Sequence, residues 1–189
     1  MSTRPLVVAI SGSLRDGSYT RMALSHALTA SEEAGAETRL VDLREWDLPL
    51  FDPDDRERGD AVQLKRLVEA ADGVIMGTPV YHGMTSSALK NAFDYLGKDE
   101  FEDTVVGLLA TAGGGPYAPT LEHLRTGIRT VHGWTLPHEV GIQGAYNQFE
   151  DGEFVDPDLE ARVHKLGRMV AEHATGGDQS PTCRVATSD

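Results

Sequence analysis

Between positions 11 and 20 the chain carries the hydroxyls of Ser11, Ser13, Ser18 and Thr20, the guanidinium of Arg15, the phenol of Tyr19, and glycines at Gly12 and Gly17. Hydroxyls and a fixed cation donate to an anion, and glycine lets backbone amides approach it closely. Phosphate binding is the chemistry such a set suits. The stretch has neither the Gly-Lys-Ser/Thr ending of a Walker loop nor the three-glycine spacing of a dinucleotide fingerprint. An ordinary strand-to-helix turn also favours Ser and Gly, so these residues alone leave both readings open.

Two further stretches carry the same kind of signal. Pro79-Val80-Tyr81-His82-Gly83 joins a proline stop to an aromatic and a glycine, and Ala112-Gly113-Gly114-Gly115 breaks any regular element and leaves bare amides. His82 is read as a hydrogen-bonding loop residue and no residue is assigned as catalytic. The acidic run around Asp52, Asp54 and Asp55 lacks the spacing and the glycine of a calcium loop, and it is read as solvated. No metal site is expected.

Each of the three stretches follows a short apolar run that reads as a buried strand: 6–10, 73–78 and 104–111. Each also precedes an apolar stripe at helical spacing. Ala23, Leu24, Ala27 and Leu28 follow a cap at Ser18 or Thr20; Leu89, Ala92, Phe93 and Leu96 follow Thr85 or Ser86; Leu121, Leu124 and Ile128 lie in a helix running to His132. A further strand is expected at 38–43 and a helix at 60–71 capped by Asp60. An edge-type strand at 134–140 is interrupted by Pro137, and a polar connection spans 141–155. A last helix is capped by Asp156, with Pro157 in its first turn. Parallel strands present their C-terminal loops on one edge, so the first and third loops face one ligand.

The motifs resemble those of the NADPH-dependent FMN reductase family, whose opening pattern is Gly-Ser-Leu-Arg, two residues, Ser, one residue, Asn. This chain has Gly12-Ser13-Leu14-Arg15 and Ser18, with Thr20 in place of the usual Asn. At the second loop it keeps Pro79, Tyr81, Gly83 and Leu89-Lys90-Asn91-Ala92, but has Val80, His82 and Met84 at the variable places. The resemblance covers residues 5 to about 172. It implies a flavodoxin-like α/β fold, a doubly wound five-stranded parallel sheet with helices on both faces, over residues 1–175. It implies FMN as cofactor and NADPH or NADH as co-substrate, with hydride accepted at the flavin N5 and electrons passed to a quinone, free flavin, azo compound or metal oxyanion. It assigns the phosphate to the first loop, the isoalloxazine to Tyr81 and its neighbouring amides, and an approach to the ring to the glycine loop. It also implies a homodimer or homotetramer.

Composition sets the surroundings. The chain has 189 residues and a formal charge of −13, from 30 acidic against 17 basic side chains, and its lysines are Lys65, Lys90, Lys98 and Lys165. Such a balance repels nucleic acid and anionic membranes, and it resembles the lysine-poor surfaces of proteins from a salt-rich cytoplasm. No run reaches the roughly 20 apolar residues of a membrane span, and the opening residues do not read as a signal peptide, so a cytoplasmic protein is expected. The single Cys183 excludes an internal disulfide framework or a cysteine zinc site, and 176–189 reads as a disordered polar tail. Apolar Leu48, Leu50, Phe51, Tyr146, Phe149 and Phe154 on loops call for cover by the domain or a second subunit. Two other classes stay open at this point: a flavodoxin that carries single electrons between proteins, and a flavin-free scaffold.

Overall fold

A computed structural model describes residues 4–174, so the tail with Cys183 lies outside the described residues. Strands β1 (Leu6–Ser11), β2 (Glu37–Asp42), β3 (Gly73–Pro79), β4 (Val105–Ala112) and β5 (Trp134–Thr135) form a parallel sheet in the order β2-β1-β3-β4-β5. This is the flavodoxin-like order, with its switch point between β1 and β3.

Period-two alternation sends each strand's side chains to both faces. Val8, Ile10, Val74, Met76, Val106 and Leu108 meet Leu64, Leu89, Leu121 and Ile128 from α2 (Ala61–Glu69), α3 (Ser87–Asp94) and α5 (Ala118–Thr130). Val7, Ala9, Ile75 and Leu109 meet Leu24, Ala27, Val163, Leu166 and Val170 from α1 (Tyr19–Glu33) and α6 (Pro157–Ala174). Burial on both faces explains why these strands read as continuous apolar runs. Helices α1 and α6 touch so closely that a Cβ on Gly167 would stand 1.8 Å from the Ala27 carbonyl oxygen, and Ser31 Oγ donates to the Gly167 carbonyl at 2.9 Å.

Three local expectations need correcting, and one short helix adds to them. The strand expected at 134–140 is two pieces: β5 pairs with the start of β4, and β6 (Val140–Gln143) pairs with its end, at Leu109–Ala112. Pro137 has no N–H for the ladder, so the chain leaves between them. The connection after β6 is more ordered than a polar linker: Gly144 takes a left-handed conformation, a turn of 3-10 helix spans Ala145–Asn147, and β7 (Phe149–Glu150) pairs antiparallel with β8 (Glu153–Phe154). Asp60 does not cap α2 with its side chain. Its Oδ2 accepts from the Asp47 amide at 2.8 Å, while its own amide donates to the Asp47 carbonyl at 2.7 Å. A short helix, α4 (Lys98–Phe101), drops Phe101 fully into the core, and the buried Glu100 accepts from the Gly97 amide at 2.7 Å.

The loop 48–51 is covered mainly from α3. Asn91 Oδ1 accepts from the Phe51 amide at 2.8 Å and its Nδ2 donates to the Leu48 and Pro49 carbonyls, while the Tyr95 hydroxyl donates to Pro49 at 2.8 Å. Phe51 meets the Tyr95 ring edge-on at 5.2 Å and Leu48 reaches the core, which leaves Leu50 82% exposed.

Candidate functional site

Three strand-to-helix connections meet above the β1/β3 switch point. The first is fixed at its base: the Gly12 amide donates to the Gly77 carbonyl at 2.8 Å and Ser86 Oγ donates to the Gly12 carbonyl at 2.7 Å. A Cβ on Gly12 would stand 2.6 Å from Leu89 Cβ, so only glycine fits there unchanged. Ser18 is the N-cap of α1, its Oγ accepting from the Arg21 amide at 3.1 Å. The amides of Tyr19 and Thr20 belong to the first turn and have no helical acceptor, so they carry the positive end of the helix dipole.

Charge around this turn is already paired, with one exception. Arg21 Nη1 is 2.7 Å from Asp42 Oδ2, and Arg44 pairs with Asp16. Arg15 is exposed and makes no ion pair among the described residues. A cation next to the helix N-terminus is therefore left for an external anion.

The second connection is a tight turn. Tyr81 and Met84 exchange both amide-to-carbonyl hydrogen bonds at 3.0 Å, and the two residues between them have positive φ, 53° at His82 and 75° at Gly83. That is the geometry of a primed hairpin turn, which accounts for the glycine. Ser86 begins α3, its Oγ accepting from the Leu89 amide at 3.2 Å; Thr85 instead donates its hydroxyl to Thr78 Oγ1. The third connection, after β4, exposes Gly113, Gly114 and Gly115. It is tied to the segment after β6, where the Gly144 amide donates to the Gly113 carbonyl at 2.7 Å.

Together these loops line one cleft. Its walls are Ser13, Arg15, Tyr19 and Thr20 at one end, and Pro79, Val80, Tyr81, Ala112, Gly113, Ala145 and Tyr146 at the other, with Thr111 on its floor. The Thr20 and Thr111 hydroxyls are 2.6 Å apart and join the first loop to the end of β4. Tyr81 is 49% exposed and Tyr146 60%, so this end of the cleft is open.

The expected site residues divide accordingly. Ser11 closes β1, fully buried with an unpartnered Oγ, and Ser18 is used as the cap; neither lines the cleft. His82, Gly83, Gly114 and Gly115 sit in the turns beside it and do not line it either. Thr111, Ala145 and Tyr146 line it but were not singled out as site residues. Thr111 had a readable signal, a hydroxyl ending an apolar run directly before a glycine loop. Ala145 reaches the cleft only through the excursion after β6.

Comparison with known proteins identifies the family. The model of the family described as NADPH-dependent FMN reductase matches residues 5–147. The NADPH azoreductase of Bacillus sp. (strain OY1-2) is 36% identical over 163 residues, 85% of this chain and 87% of that protein. The FMN-dependent NADPH-azoreductase of Staphylococcus aureus (strain USA300) is 32% identical over 161 residues, covering 82% and 86%. Among solved structures, the NAD(P)H:(acceptor) oxidoreductase of Paracoccus denitrificans superposes with a TM-score of 0.75 at 20% identity, covering 90% of this chain and 97% of that one, a likeness of fold.

Proposed function

The chain belongs to the NADPH-dependent FMN reductase family, and from that premise we propose that it is an FMN-dependent NAD(P)H reductase whose acceptors are small oxidised molecules such as azo compounds and quinones. The observation that carries the reading is the division of the cleft. Unpaired positive charge and first-turn amides lie at one end, and uncharged residues and backbone lie at the other.

That donor set fits the cofactor. Arg15, the Ser13 hydroxyl and the amides of Tyr19 and Thr20 would hold the dianionic phosphate. Pro79, Val80, Tyr81, Ala112 and Gly113 would receive the flavin ring, with Tyr146 at its open edge. Bound FMN supplies the hydride-accepting centre that a nicotinamide reduces and an acceptor reoxidises. The protein's part is position and field. Among the described residues the cleft walls carry Arg15 and three tyrosines as ionisable groups and no carboxylate or histidine.

The same reading places the enzyme in the cytoplasm as a homodimer or homotetramer. Supporting assembly are Leu50, Tyr81, Met84 and Tyr146, large apolar or aromatic side chains left exposed, three of them on the loops around the cleft. No helix among the described residues is long and apolar enough to cross a membrane. The charge of −13 supports a protein adapted to high salt, in which case its Tm rises from low to molar potassium chloride. A Tm flat across that range removes the salt adaptation without touching the enzymology.

The deciding experiment is the absorbance spectrum of the purified protein followed by NADPH oxidation with a quinone or an azo dye. A flavin spectrum with acceptor-dependent NADPH consumption is expected. Flavin without NADPH consumption would leave a single-electron carrier, and no flavin affinity would overturn the reading.

A further inference from the structure

Away from the cleft, α1 and α6 bring two histidines and a carboxylate to one point. His26 Nδ1 is 3.6 Å from Glu160 Oε1, and His164 Nε2 is 3.8 Å from the same oxygen. One donor atom from each residue lies within 4.8 Å of the other two. Glu160 and His164 are four apart on α6 and therefore share a helix face, while the close contact of the helices at Gly167 and Ala27 holds His26 opposite them.

Two details distinguish this from a chance ion pair. His164 Nε2 is buried and has no hydrogen-bond partner, although buried imidazole nitrogens are normally satisfied. His26 is oriented from its far side: Nε2 lies 3.0 Å from the Gly152 carbonyl oxygen in the turn between β7 and β8, with Glu153 Oε2 3.9 Å away. As the donor in that bond, Nε2 carries the proton, which leaves Nδ1 with its lone pair toward Glu160. A metal-bound histidine is set by its second nitrogen in this way.

We propose that His26, Glu160 and His164 form a site for a zinc-like divalent cation that clamps α1 to α6. Two imidazoles and one carboxylate match the ligand preferences of zinc and its neighbours, whereas calcium and magnesium want oxygen alone. Tetrahedral bonds of about 2.0–2.1 Å put ligand atoms about 3.3 Å apart, so the carboxylate-to-imidazole distances of 3.6 and 3.8 Å need to close by a few tenths of an ångström, and the two imidazole nitrogens, within 4.8 Å of each other, by at most about 1.5 Å. Three protein ligands leave one position for water. All three side chains are partly exposed, at 15%, 33% and 29% for His26, Glu160 and His164, which gives the ion a way in. Phe154 covers the His26 ring edge-on at 4.9 Å.

The test uses the untagged protein as purified, after chelator treatment and buffer exchange. Titration with Co²⁺, followed by difference absorbance and then by Zn²⁺ displacement, should show one ion per chain with the intense visible bands of four-coordinate cobalt. Zn²⁺ should raise the Tm. Glu160→Gln and His164→Gln should each weaken binding by about 100-fold or more, since even outer-shell changes cost 10- to 100-fold. His132→Gln, at an exposed histidine after α5, should leave binding unchanged. Absence of saturable one-to-one binding would overturn the site, as would binding that survives both Glu160→Gln and His164→Gln. The readout does not depend on flavin or turnover, so it stands or falls separately from the reductase reading.

Discussion

At one end of the cleft Gly12 is wedged between β3 and α3, bonded to Gly77 and Ser86, with no space for a Cβ. At the other end Gly113 lines the cleft with Gly114 and Gly115 beside it, all three exposed, and a Cβ on any of them meets nothing within 4 Å. One residue type therefore does two jobs. The first glycine is chosen for what it excludes, and the later ones for the amides they leave bare. A phosphate is the same in every turnover, so a fixed cradle suits it. An acceptor that varies in shape suits an open wall with few internal contacts.

That contrast is broken most directly by Arg15→Ala. A charge-assisted hydrogen bond to phosphate is worth about 1.5–3 kcal/mol, so FMN affinity should fall roughly ten- to over a hundredfold by fluorescence titration. The Tm of the flavin-free protein should not move, because Arg15 is exposed and unpaired. Turnover at saturating FMN should stay near wild type; unchanged FMN affinity would remove the phosphate assignment.

Gly12→Ala comes next. The added methyl meets Leu89 Cβ at 2.6 Å and Ser86 Oγ at 2.8 Å, and overpacking of this kind costs about 1–3 kcal/mol. Chemical denaturation should show that loss, with weaker FMN binding alongside it. A neutral result would mean that the base of the first loop is not the fixed cradle described above. Gly114→Ala is the smallest change, with an expected stability effect within about 0.5 kcal/mol and FMN affinity within twofold. A large loss of either would show that the glycine end is as constrained as the phosphate end.

Much of the first-loop end was legible because its signals are local. Ser18 caps a helix that begins at the next residue, and the apolar run before it has one conformational outcome. Ser86 was legible for the same reason. Asp60 was misread because a carboxylate two positions from several amides has rivals, and Asp47 lies outside any local window. The β7–β8 hairpin did carry a signal, Asp151-Gly152 between Phe149 and Phe154, with φ of 51° and 93° in the turn. Strands of only two residues are too short for alternation to mark them. The pairing of His26 with Glu160 and His164 joins residues brought together by helix packing, and no local pattern reports it.

The segment after β6 is held at two separated points, by the Gly144 amide on Gly113 beside the cleft and by the Gly152 carbonyl against His26 on α1. Tyr19 stacks on Phe149 at 5.7 Å, and Phe149 meets the Phe154 ring at a tilt of 40° at 4.4 Å. A stretch pinned at both ends and stapled by rings in its middle cannot fray from one end. It opens all at once or not at all. In hydrogen exchange its amides from Ala145 to Phe154 should behave as one cooperative unit with a shared opening free energy, and the backbone that carries Tyr146 moves away from the cleft only when that whole unit lifts.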